Sequence, residues 1–324
     1  MKSKIGISLG DPAGIGYEIT AKSFLRYTDR NKFTLIGNFE HFRKVLKILG
    51  IKSDEFDDIN FIDIPGGKIE FGKIQKEAGR ISYESVKKGI QMAMSQEIDS
   101  LVTAPINKES WQEAGSKFID HTIMLEKLTN SKDVSTVFEV RKLRIIFLSK
   151  HLSLVDACKL VKKENIKKGI VMADLALKLL GIENGKIAIA ALNPHAGENG
   201  LFGREEIDEI IPAVNEMKKN YKLFGPIPAD SVFHQASLGK YDIVLSLYHD
   251  QGHIAAKTYD FDRTVSLNIG LPFLRTSVDH GTAFDIAGKG TANEISMLEA
   301  IKKALKYSYT YKTNYEKYLN FSFA

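Results

Sequence analysis

Of the eight histidines in this chain of 324 residues, three close runs of strand-forming residues. His151 follows Leu143–Ser149, His195 follows Lys186–Leu192 and His249 follows Asp242–Tyr248. Neutral imidazole is the commonest metal ligand, and three protein ligands with an open fourth position describe a catalytic rather than a structural site. The separations of 44 residues (195 − 151) and 54 residues (249 − 195) are too long for a local zinc-finger motif. One histidine at a strand end is more often a satisfied hydrogen-bonding residue than a ligand. Three in equivalent places, flanked by Gly, Pro or Asp, argue for convergence. A metal held there polarises a hydroxyl or carbonyl oxygen. Asp250 and Glu198 stand beside two of the histidines as orienting partners or further ligands.

Two glycine-rich stretches suit ligands approached by the backbone. Gly10-Asp11-Pro12-Ala13-Gly14-Ile15-Gly16 follows a strand run and opens a helical pattern, so its amides can face an anionic ligand. It has neither G-x-G-x-x-G spacing nor a GK[ST] ending, which excludes a standard dinucleotide fingerprint and a P-loop. The stretch 280–293 combines Gly281, Gly288 and Gly290 with Asp285 and Asn293, which allows close backbone approach and hydrogen bonds to ribose and adenine. Its plainer reading is a loop before a helix over Glu294–Tyr307. Lys257 and Arg275 are cations suited to a phosphate, Arg275 by its bidentate fork. Arg275 is expected in a turn after the strand Thr264–Ile269, framed by Leu271-Pro272-Phe273-Leu274, where an unpaired charge would be costly to bury. An internal carboxylate would satisfy it as well as a phosphate. For the proton acceptor, Lys108, Asp250 and His121 stay equivalent.

These side chains need elements to place them. Strand-like runs at Lys4–Leu9, Phe33–Gly37, Asn60–Ile64, Leu101–Ala104, Leu143–Ser149, Lys186–Leu192 and Asp242–Tyr248 are mostly continuous and apolar, as in sheets buried on both faces. Amphipathic stretches such as Ile81–Ser95, Lys162–Leu180 and Arg204–Tyr221 lie between them, and Ser135–Ser149 reads as an antiparallel hairpin. The alternation predicts a doubly wound α/β fold with a largely parallel sheet. Five of the runs end in polar clusters, and ligands of such sheets bind beyond the carboxyl ends of the strands.

Length and composition agree. A chain of 324 residues predicts two lobes or one large α/β unit, and 44% hydrophobic with 26% charged residues is ordinary for a globular protein. No apolar run reaches membrane length, and Asp11 and Pro12 interrupt any signal-peptide core. The single cysteine, Cys158, excludes an intrachain disulfide and fits a reducing cytoplasm. The net charge of +5 is spread along the chain rather than gathered on one stretch, so it argues for a lysine-rich surface and small anionic substrates, not nucleic acid.

GDPAGIGYE (10–18), TAPINK (103–108), DHT (120–122), NPHAGE (193–198), ADSVF (229–233), YHDQG (248–252) and GLPFLRTSVDHGTA (270–283) together resemble the 4-hydroxythreonine-4-phosphate dehydrogenase family of vitamin B6 synthesis, in order and along nearly the whole chain. HGTAFDIAGKGTAN also resembles the adenosine-binding loop of isocitrate and isopropylmalate dehydrogenases. The resemblance implies a two-lobed α/β/α fold with its active site in the interlobe cleft. A cofactor lobe would span 1–125 plus 280–324, and a metal-binding and dimerisation lobe 126–279. It implies NAD-dependent oxidation of 4-phosphooxy-L-threonine to 2-amino-3-oxo-4-phosphooxybutanoate, which decarboxylates to 3-amino-2-oxopropyl phosphate. NADP could replace NAD. One divalent ion (zinc, magnesium or cobalt) would be held by His151, His195 and His249 across a homodimer interface. Substrate contacts would come from His121, Thr122, Lys257, Ser266 and Arg275, and cofactor contacts from His280, Gly281, Thr282, Asp285 and Asn293. Ser266 stands where the family often has Asn, and Asn268 lies two residues on, on the same strand face. A related metal- and NAD-dependent dehydrogenase acting on another small acidic alcohol would share the triad and the loop. A metal hydrolase would have no use for 280–293, and a nucleic-acid binder would have no use for the motifs.

Overall fold

The computed structural model describes residues 3–319. Its strands are β1 (Ile5–Ser8), β2 (Phe33–Gly37), β3 (Asn60–Asp63), β4 (Ser100–Thr103), β5 (Ser135–Val140), β6 (Leu143–Phe147), β7 (Lys186–Ala190), β8 (Lys222–Ile227), β9 (Ile243–Ser246), β10 (Val265–Ile269) and β11 (Leu274–Val278). Two compact units divide the chain. One holds the residues up to Val134 together with Gly270–Lys312, and the other holds Ser135–Ile269 and the residues from Thr313 onward. The seams fall where β5 begins and β10 ends.

In the first unit the strands lie in the order β3-β2-β1-β4-β11, all parallel. Their apolar runs are buried on both sides. Ile5, Ile7, Leu35, Ile36, Leu101 and Val102 are fully buried, each worth about 1.5–3 kcal/mol of hydrophobic stabilisation. The register pairs Ser8 with Thr103 and Thr103 with Ser277. That alignment sets the loops after β1, β4 and β11 at one edge. Helix Lys76–Met94 covers this sheet and begins five residues before the amphipathic pattern that announced it.

In the second unit the order is β10-β5-β6-β9-β7-β8. The hairpin β5–β6 is antiparallel and turns at Arg141, whose φ is 53°. The strands β6, β9, β7 and β8 are parallel. The sequences after β6, β7 and β9 therefore leave one edge, and they contain His151, His195 and His249.

Three expectations about elements need correction. Arg275 does not lie in a turn: it is the second residue of β11, because Leu274–Val278 pairs with β4 along its length. The stretch Arg204–Tyr221 is not one helix. It winds as a π-helix over Glu206–Ile210 and continues as an α-helix over Ile211–Met217, where Pro212 lacks the N–H that an unbroken α-ladder needs. The last helix runs over Ile295–Leu319 instead of ending at Tyr307.

Candidate active site

At the carboxyl edge of the first unit, the loop after β1 packs against the loop after β11. Gly10 has a φ of 74°, and a Cβ there would lie 2.3 Å from the Pro105 carbonyl, so only glycine lets the turn after β1 meet the turn after β4. Ile15 N donates to Thr282 O at 3.0 Å, and a Cβ on Gly14 would lie 2.8 Å from the Thr282 Cβ. Beyond this point the loop is clamped to helix Gly16–Phe24. Lys22 Nζ donates to Gly290 O at 2.9 Å, to Ala292 O at 2.7 Å and to Glu18 Oε1 at 2.8 Å, which uses all three of its hydrogens. Glu18 Oε1 also accepts from Ala292 N at 2.7 Å.

The clamp leaves the other side of the loop open. Gly281 has nothing within 4 Å of where a Cβ would stand, and Asp285 and Asn293 are exposed. Asn293 Oδ1 caps the last helix by accepting from Ile295 N at 3.0 Å. His280 Nδ1 lies 3.0 Å from Gly281 O, and Thr282 is half-buried. An open glycine beside an exposed carboxylate suits close backbone approach and ribose hydroxyls, so these residues fit a dinucleotide.

Asp11 is wholly buried in the same turn. Its Oδ1 accepts from Ala13 N at 2.8 Å, while Oδ2 has no direct hydrogen bond. Burial pushes the carboxyl up to about 6, only partly offset by the Ala13 amide and by nearby Ser110 and Asn107.

Arg275 projects from β11 toward β4. Its Nε and Nη2 both donate to Thr103 Oγ1, at 3.0 and 2.6 Å. Burial lowers its pKa to about 10, against the opposing fields of Asp120 and Asp279. His121 opens helix His121–Thr129, which Asp120 caps by accepting from Ile123 N at 3.0 Å. The His121 ring packs edge-on to Trp111 at 5.5 Å. Its pKa falls well below the usual histidine value through burial, Arg275 and Lys108, so the imidazole is neutral. Thr122 is half-buried beside it, and Lys108 is exposed at the start of helix Lys108–Glu113.

In the second unit, two of the three strand-end histidines come together. The His151 and His249 rings lie 5.9 Å apart. A separation of that size falls within what two imidazoles sharing one ion would span. Asp250 Oδ1 lies 2.7 Å from His249 Nδ1, which would leave Nε2 free to take a metal. His195 stands on the following turn at the same edge and is exposed. Among the described residues no cluster of three potential ligands forms. An all-imidazole donor set suits zinc or cobalt better than magnesium.

Lys257 sits two turns along helix His249–Asp260, with Nζ 5.3 Å from the Phe261 ring. Ser266 and Asn268 share one face of β10 and are buried; Asn268 Nδ2 lies 3.4 Å from Thr136 Oγ1.

Sequence reasoning missed three contributors. His253 stacks on His249 with ring centroids 3.6 Å apart and 16° between the planes, and burial lowers its pKa to about 4. The signal was its place four residues after His249, on one helical face. Gln251 ties the ends of two strands together. Its Oε1 accepts from Leu247 N and its Nε2 donates to Ala191 O, both at 2.8 Å. Lys150 Nζ donates to Thr136 Oγ1 at 3.1 Å, on the same polar face as Asn268.

Comparison with known proteins adds a family. The family model described as pyridoxal phosphate biosynthetic protein PdxA matches residues 22–304. A Fusobacterium nucleatum protein provisionally named D-threonate 4-phosphate dehydrogenase is 46% identical over 96% of this chain and 99% of its own length. A Clostridium botulinum protein of the same provisional name is 47% identical over 96% and 98%. Among solved structures, 4-hydroxythreonine-4-phosphate dehydrogenase from Klebsiella pneumoniae superposes with a TM-score of 0.85 at 36% identity, covering 95% of this chain and 98% of that one. With a family model spanning residues 22–304 and full-length relatives near 47% identity, the chain belongs to the PdxA family.

Proposed function

We propose that the protein is a dehydrogenase that oxidises the secondary hydroxyl of a small phosphorylated hydroxy acid, with D-threonate 4-phosphate as its substrate. The observation that carries the chemistry is the His151–His249 pair with Asp250 on His249 Nδ1. The substrate rests on relatives of that name at 46–47% identity. A divalent ion bound by imidazole supplies Lewis-acid polarisation of the alcohol oxygen, and NAD supplies the hydride acceptor.

The chain's own groups do the rest. His151 and His249 hold the ion, and Asp250 fixes the tautomer of His249. His195 completes the donor set from the second copy of a homodimer. Exposed Leu152, Leu154, Val155, Leu201, Phe202 and Ile254 flank the histidines and suit such an interface. In the first unit, Arg275 binds the phosphate, and His121, neutral and beside it, donates or accepts a hydrogen bond without repelling a cation. The open face of 280–293 takes the dinucleotide. Lys108 is a candidate proton acceptor; Lys257, Thr122 and Ser266 line the substrate. Oxidation β to a carboxylate gives a 3-oxo acid, which loses CO₂.

The second reading is 4-phosphooxy-L-threonine, favoured by the family description and by the Klebsiella structure. The two substrates differ only at the neighbouring carbon, hydroxyl against amine. NADH formation with each, with and without chelator, decides. A kcat/KM at least about tenfold higher for D-threonate 4-phosphate supports the first reading, and the reverse ratio the second, since each 1.4 kcal/mol is tenfold. No NADH with either removes both.

A further inference from the structure

His195 does not sit on an ordinary strand-to-helix loop. Its φ of 52° begins five consecutive residues in the left-handed region, with Ala196 at 56°, Gly197 at 81°, Glu198 at 45° and Asn199 at 55°. Four of the five carry a Cβ, which the left-handed region disfavours, most for Ala196 and Glu198. Such a run persists only where the surroundings over-determine it.

The contacts that do so trace to one buried carboxylate. Glu206, 1% exposed, accepts from Leu192 N and Asn193 N through Oε1, each at 2.8 Å. Its Oε2 accepts from Asn193 Nδ2 at 2.8 Å, and the other hydrogen of that amide goes to Glu205 Oε2 at 2.7 Å. With Asn193 fixed, its carbonyl accepts from Ala196 N at 3.2 Å. The turn then closes through Leu201 N to Glu198 O and Phe202 N to Gly197 O, both at 3.2 Å. Gly197 is needed at its place because a Cβ there would lie 2.8 Å from Glu206 Oε2. Glu206 also opens the π-helical segment Glu206–Ile210, a winding that recurs at functional sites.

We propose that Glu206 is a positioning residue whose carboxylate locks this left-handed turn and thereby aims the His195 imidazole as a metal ligand. The second half rests on the metal reading above; the locking of the turn does not. Glu206→Gln is isosteric and keeps an acceptor for the two backbone amides, but it sets an NH₂ group against the NH₂ of Asn193.

The test uses the full-length protein with Co²⁺ as the probe. In Glu206→Gln, amide hydrogen exchange across residues 192–202 speeds up at least about tenfold without metal. The Co²⁺ dissociation constant rises about 10- to 100-fold. The visible Co²⁺ spectrum shifts to that of His195→Ala, which a merely structural role would not produce. Unchanged exchange overturns the proposal whatever the metal does. Faster exchange with wild-type Co²⁺ affinity and spectrum overturns the link to His195. If the wild type takes up no Co²⁺, or His195→Ala leaves uptake unchanged, the metal reading fails by itself, and the exchange data still decide whether Glu206 locks the turn. Should Glu206→Gln not fold, Gly197→Ala presses on the same carboxylate from the turn's side and carries the same comparisons.

Discussion

Asp11 is a carboxyl group that the fold prefers neutral. Its pKa is raised from 3.8 to about 6 by burial. Between those values the native state binds more protons than the unfolded chain. The stability that Asp11 contributes is therefore fully present below about pH 4 and is lost as pH rises through about 6. Asp11→Asn keeps an acceptor for Ala13 N–H and removes the titration. Relative to wild type, the variant should gain on the order of 3 kcal/mol in denaturant unfolding at pH 7 compared with pH 4. A pH-independent difference would show that burial leaves the carboxyl titrating as it does in the unfolded chain. Arg275→Lys tests the phosphate. Lysine cannot reproduce the fork that places Nε and Nη2 on Thr103. The KM for the phosphorylated acid should rise about 10- to 150-fold, and that for the dephosphorylated acid far less. Equal penalties in steady-state assays would mean that Asp120 and Asp279 are its working partners.

Helix Gly16–Phe24 acts on a loop far along the chain. Through Lys22 and Glu18 it holds Gly290 and Ala292, so the shape of the 280–293 loop is set by a helix more than 260 residues earlier. Lys22→Met leaves two carbonyls and the Glu18 carboxylate without their cation. Calorimetry should show about 1–3 kcal/mol of lost stability. Titration with NAD should show weaker binding, while the KM for the acid substrate stays near wild type. Undiminished NAD affinity would remove the loop from the cofactor site. The motif GDPAGIGYE displayed Glu18 in the sequence, but nothing local joined it to a backbone amide at residue 292.

For the whole molecule, the pairing of His151 with His249 inside one chain gives the proposed homodimer with shared sites a specific test. A hybrid of His151→Ala and His195→Ala subunits regains one intact site of two. Random mixing of these inactive variants should restore about a quarter of wild-type activity, because half of such dimers are hybrids. Mixing His151→Ala with His249→Ala should restore none, since every site then carries a damaged pair. Recovery in the second mixture and not in the first would assign the histidines differently. No helix among the described residues is long and apolar enough to cross a membrane.

The strands were legible because apolar runs such as Leu143–Phe147 and Ile243–Ser246 carry their own period and length, and strand-end polar clusters mark where a parallel sheet presents its ligands. The family was legible too, from motifs whose spacing survives along the chain. Leu271-Pro272-Phe273 signals a turn at Arg275, and pairing of β11 with β4 overrides that local signal. YHDQG looks like a strand end and hides His253, which the helix His249–Asp260 brings onto the face of His249 four residues before it. The left-handed turn at His195 had little local signal. Gly197 and Asn199 tolerate positive φ but Ala196 and Glu198 do not, and a carboxylate eleven residues on (206 − 195), buried by packing, holds the conformation. Local chemistry thus determined which residues could act, and long-range pairing and burial decided how each is charged, held and aimed.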